Sequence, residues 1–119
     1  MPRNPPWSER ELLLALDLYM RRGLASRSDS EVVALSVLLN SLRAHEDVAD
    51  PERFRNANGV HMKLANFRAH DRPGGGLTHG NRMESDLWER FKDHRDLLEL
   101  EVARIKSSLD AGPARSGGS

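Results

Sequence analysis

The sequence predicts an all-α fold, a compact single domain of about five helices with a Gly-rich loop before the fourth major helix. Three observations carry this. Apolar residues recur at three- and four-residue spacing in five successive segments. Capping signals stand just before several of those segments. The only alternating stretch, "GVHMKL", is too short to argue strongly for a strand and remains the alternative to helix there. At 119 residues the chain can bury one core and not two. The expected layout is a domain over 1–110, then "AGPARSGGS" as a tail or the start of a linker.

The first helix has the clearest start. Pro5 and Pro6 hold the entry extended. Ser8 and Glu11 have the spacing of a capping box, and Trp7 with Leu12 that of a hydrophobic staple. The helix should run to about Arg22 and stop near Gly23. Leu12, Leu13, Leu14, Leu16, Leu18 and Tyr19 make it apolar on more than one side, so it should be central.

"GLASRSDS" reads as a polar loop with Ser28, Asp29 and Ser30 as alternative caps. The second helix follows to about Leu42, with Val32, Leu35, Leu38, Leu39 and Leu42 as its buried stripe. Asp50-Pro51 opens a short turn through Phe54. A third helix begins near Asn58. On its wheel Val60, Leu64 and Phe67 form one apolar stripe, and Met62, Ala65 and Ala69 a second. Lys63, Asn66 and His70 lie along one edge between the stripes, and His61 and Arg68 along the other. "DRPGGGLTHGN" is the Gly-rich loop. Asn81 and Glu84 mark the next start, with Met83, Leu87, Trp88 and Phe91 as the stripe. After a break near Asp93-His94, Leu98, Val102, Ile105 and Leu109 define the last helix.

The formal net charge is zero, which is unlike a strongly basic nucleic-acid binder. The distribution says more. Residues 1–52 carry six Lys/Arg against nine Asp/Glu, residues 53–82 carry six against Asp71 alone, and residues 83–119 carry six against eight. The +5 middle segment can present a local anion-attracting surface, or can simply be neutralised by acidic neighbours.

Catalytic signatures are missing. No GxxxxGK[ST] accompanies the triple glycine, and there is no HExxH. Without Cys there is no thiolate metal site, and His61, His70 and His79 recur at a nine-residue spacing that fits no compact ligand set. No catalytic residue, metal or cofactor is expected. No apolar run is long enough to span a bilayer and no signal-peptide core follows the N-terminus, so a cytoplasmic location is expected. What remains is "FRNANGVHMKLANF". Asn can pair in bidentate fashion with adenine, and Arg or Lys with guanine or phosphate. The structural alternative is that Asn56 and Asn58 are caps and that Asn66 bonds a buried carbonyl.

"RNPPWSERELLLALDLY", "FRNANGVHMKLANF", "GGGL" and "GN…E…LWERF" resemble the N-terminal region of bacterial McrA-like HNH endonucleases, modification-dependent restriction proteins often described as 5-methylcytosine-specific. The resemblance runs from Arg3 to about Ile105. The family pattern has proline where this chain has Ala57, and often an aromatic at His61. The family's nuclease chemistry belongs to a later module that nothing here matches. The resemblance therefore implies a non-catalytic module that binds double-stranded DNA and is a candidate reader of modified bases, with an HNH nuclease module as a protein partner. The candidate phosphate contacts are Arg55, Lys63, Arg68, Arg72 and Arg82. Asn58, His61 and Asn66 are the candidates for base edges, with Asn56 and His79 beside them. The rival expectation is an interaction domain that docks on a nuclease or drives dimerisation.

Overall fold

A computed structural model describes residues 6–42, 54–72 and 82–110. Its helices are α1 (Glu9–Arg22), α2 (Ser30–Leu42), α3 (Ala57–Asp71), α4 (Arg82–Phe91) and α5 (Arg95–Asp110). The expected all-α architecture is therefore the observed one. The Gly-rich loop, the Asp50-Pro51 turn and the tail lie outside the described residues.

α1 is the axis. Every residue from Glu11 to Tyr19 is buried, and the helix packs against each of the other four. Ser8 caps it as expected. Its Oγ accepts the Glu11 N–H at 3.2 Å, and Glu11 Oε1 accepts the Ser8 N–H at 2.8 Å. Gly23 ends it at φ +67°, a conformation that costs a residue with a Cβ.

α2 uses Asp29 as its cap, with Oδ1 accepting the Glu31 N–H at 2.8 Å. Val32, Leu35 and Leu39 are buried, and Leu38 and Leu42 pack partly buried against the core. α5 places Leu98, Val102 and Ile105 in the core as the spacing predicts.

α4 departs from expectation at one turn. Met83 was the expected start of the stripe, but it is 42% exposed and Glu84 is fully buried in its place. The stripe runs Glu84, Leu87, Trp88 and Phe91, which is the regular three-four-seven spacing of one helix face. A carboxylate occupies a core position because α3 supplies a cation to it.

The deepest polar contact joins the N-terminus to the middle of the chain. Arg55 is 5% exposed and Glu11 is 2% exposed. Arg55 Nε and Nη2 donate to the two Glu11 carboxylate oxygens, both at 3.0 Å, and Nη2 also donates to the Pro6 carbonyl at 3.1 Å. The guanidinium lies 5.0 Å from the Trp7 ring centroid and 4.4 Å from that of Phe54. Arg55 also has φ +46°, the left-handed region that side chains disfavour. Two α2 side chains hold it there. Ser36 Oγ donates to the Arg55 carbonyl at 2.6 Å, and Asn40 Nδ2 reaches the Phe54 carbonyl at 3.1 Å.

Arg55 was expected on the anion-facing surface. It is instead an interior strut, because its charge is balanced by Glu11 and its face is covered by two aromatic rings. Removing one partner of such a pair strands a buried charge. We expect Arg55→Ala to lower the unfolding free energy by about 3–5 kcal/mol. A double change of Arg55→Met with Glu11→Leu should cost clearly less than the single change, measured by urea unfolding.

Candidate nucleic-acid interface

α3 starts where the sequence suggested. Asn56 is its N-cap, with Oδ1 accepting the Gly59 N–H at 2.7 Å. A Cβ on Gly59 would meet that same oxygen at 3.2 Å, so glycine keeps the cap close. The Asn56 side chain thus serves the helix end, the structural role weighed above for it.

Three rows then divide the helix. Val60, Leu64 and Phe67 are fully buried toward α1 and its neighbours. The second row, Lys63, Asn66 and His70, is turned to the α4 side. Lys63 Nζ makes an ion pair with Glu84 Oε2, and Asn66 Nδ2 donates to Glu84 Oε1 at 3.1 Å. Lys63 also sits 5.6 Å from the Trp7 ring centroid. His70 stacks on Trp88 with centroids 6.5 Å apart. Lys63 and Asn66 were expected to meet DNA. The structure gives them to a buried carboxylate, which would be costly to leave unpaired.

The third row is the outward one. Asn58, Arg68 and Arg72 are exposed, and Met62 is 54% exposed. Ala65 is half-buried between them. The second apolar stripe expected from the wheel is therefore only partly covered: Ala69 is buried and Met62 is not. His61 borders this face but is committed. Its Nδ1 lies 2.8 Å from the Ala25 carbonyl, and since a carbonyl only accepts, that nitrogen carries the proton. Among the described residues no ion pair involves Arg68, Arg72 or Arg82. Arg82 is exposed at the start of α4. His79 lies outside the described residues.

The helix ends also build a cleft that the sequence did not suggest. α1 stops at Gly23, α3 at Arg72 and α4 just before Lys92, while α5 begins at Arg95, and all four positions line one cleft of about 580 Å³. Tyr19 and Trp88 are among its lining residues, in edge-to-face contact at 6.2 Å. Tyr19 Oη donates to Asp71 Oδ2 at 2.6 Å. Burial, reinforced by that hydrogen bond and the Asp71 charge, pushes the Tyr19 pKa up to about 12, against the opposing pull of Arg68 and Arg72.

Among the described residues no group of three His, Asp or Glu side chains is placed to hold a metal, and no helix is long and apolar enough to cross a membrane. No family model, curated protein or solved structure matches the chain.

Two outcomes follow from these contacts. Lys63→Ala should destabilise the fold by about 3 kcal/mol, since it removes the cation that α3 brings to the buried Glu84 carboxylate. Chemical denaturation checks this. Tyr19 has a folded pKa above its unfolded value near 10, so its contribution is fully present below pH 10 and is lost as pH rises toward 12. Tyr19→Phe should therefore flatten the alkaline fall in stability, read as thermal midpoints between pH 9 and roughly 12.

Proposed function

We propose that this chain is a non-catalytic module that binds double-stranded DNA through the outward face of α3, as the recognition part of an HNH restriction endonuclease or as a free-standing relative. The observation that carries this is the sorting of α3 itself. Its interior rows absorb Lys63 and Asn66, while Asn58, Arg68 and Arg72 are left together on one exposed face. No acidic residue lies in the first turn of the helix. Fifteen residues make a rod of about 22 Å, and a helix fits the major groove, which is about 12 Å wide. The small Ala65 lets the helix approach closely.

In this reading Arg68 and Arg72 contact phosphates, with Arg82 as a flanking contact. Asn58, near the helix start, is placed for a base edge, where Asn pairs in bidentate fashion with adenine. The resemblance of "FRNANGVHMKLANF" to McrA-like proteins supports the same helix. The resemblance also makes modified bases the class of target to try first.

A second reading has its own observation. Val33 and Val37 stand 44% and 66% exposed one turn apart on α2, and Leu97 and Leu100 are 48% and 62% exposed on α5. Such faces suit a protein partner, so the interaction-domain reading remains the alternative.

Fluorescence anisotropy with matched unmodified and modified duplexes tests the first reading. Each of Arg68→Ala and Arg72→Ala should weaken binding for every sequence and reduce the slope of log K against log salt by about 0.9. Asn58→Ala should cost about 1–3 kcal/mol on the preferred duplex and narrow its lead over others. Salt-independent binding, or an equal loss from Glu99→Gln on α5, would overturn this surface. A tight dimer without DNA affinity in sedimentation would favour the alternative.

A further inference from the structure

The cleft at the helix ends is distinct from the outward face of α3, although Arg72 borders both. Its wall chemistry is mixed. Arg72, Lys92 and Arg95 bring three cations from three segments, and Asp71 and Asp93 bring two carboxylates. Lys92 is paired with Glu89 at 2.9 Å. Neither Arg72 nor Arg95 has an ion-pair partner among the described residues. Asp71 already accepts the Tyr19 hydroxyl through one oxygen.

Magnitudes exclude a simple anion hole. Three helix C-termini converge there, each equivalent to about half a negative charge, against one helix N-terminus of about half a positive charge. Together with the two carboxylates they roughly cancel the three cations. A bare anion gains little from such a field. A ligand with an anionic group at one end and hydrogen-bond donors on a flat ring at the other matches the walls better. The phosphate would take the guanidinium forks of Arg72 and Arg95, and a ring amino group would give its protons to Asp93. The cleft volume lies in the range of small-ligand sites, and Tyr19 and Trp88, both largely buried, belong to its lining.

We infer that this cleft binds one nucleotide unit bearing a terminal phosphate, as a free nucleoside 5′-monophosphate or as the 5′-phosphorylated end of a strand. The guanidinium forks of Arg72 and Arg95 suit the three free oxygens of a terminal monoester better than the two of a backbone diester. The inference does not require α3 to bind duplex, so the two readings can fail separately.

The test is calorimetric titration of the full chain with cytidine and adenosine 5′-monophosphates, the parent nucleosides and inorganic phosphate. Anisotropy with short single strands, 5′-phosphorylated or 5′-hydroxyl, runs in parallel. Saturable one-site binding of a monophosphate or of the 5′-phosphorylated strand, with no saturation by nucleoside or phosphate, is the expected result. Binding of the strand alone assigns the source as a nucleic-acid end, and binding of the mononucleotide assigns a free metabolite as sufficient. Arg95→Ala and Asp93→Asn, both on exposed side chains, should each weaken it at least tenfold and leave duplex binding unchanged. Arg68→Ala should do the reverse. Absence of binding by every phosphorylated probe, inorganic phosphate binding as tightly as the nucleotide, or indifference to Arg95→Ala would overturn the inference.

Discussion

The buried pairing of Arg55 with Glu11 organises the rest of the molecule. Glu11 closes the cap of α1, so the start of the central helix and the position of Arg55 are set by one carboxylate. Arg55 in turn immediately precedes the cap of α3, and its carbonyl is held by α2 through Ser36 and Asn40. Three helices are thereby indexed to one guanidinium. The left-handed backbone at Arg55 persists because these contacts over-determine it, which is how local strain of about 1–3 kcal/mol survives in a fold.

A second buried carboxylate does the same work for α3 and α4. Glu84 fixes the rotation of α3 about its own axis by pulling Lys63 and Asn66 inward. That rotation turns Asn58, Met62 and Arg68 outward. The polar composition of the helix is thus divided by one acidic residue on a neighbour, and the same event makes an interior edge and a solvent edge. Trp7 lies beside both cations, 5.0 Å from Arg55 and 5.6 Å from Lys63 by ring centroid, so the two carboxylate centres share an aromatic wall.

The fold was largely legible in the sequence because helices announce themselves locally. Ser8 with Glu11 marked the start of α1, Gly23 its end, and the stripes of α2 and α5 followed their spacing. The site was less legible because side-chain pairing is not local. Nothing near Arg55 in the chain indicates that its partner stands 44 residues earlier. Glu84 reads as an ordinary first-turn acid until Lys63 is known to face it. Asn66 is a structural hydrogen-bonder, the alternative its residue type offers in the sequence, although its acceptor is a carboxylate and not a carbonyl. The cleft has no local signal at all, since it exists only where separate helix ends meet.

The centrality of α1 carries a consequence for the growing chain. This helix leaves the ribosome first among the five, with nine consecutive residues destined for burial. Its last packing partner, α5, ends at Asp110. At translation rates of about 5–20 residues per second, the interval between them is several seconds. During that time the nine core residues of α1 have no complete shelter, and the Arg55 guanidinium that Glu11 holds in the fold has yet to emerge. The helix that emerges first of the five is therefore the one whose burial is completed last.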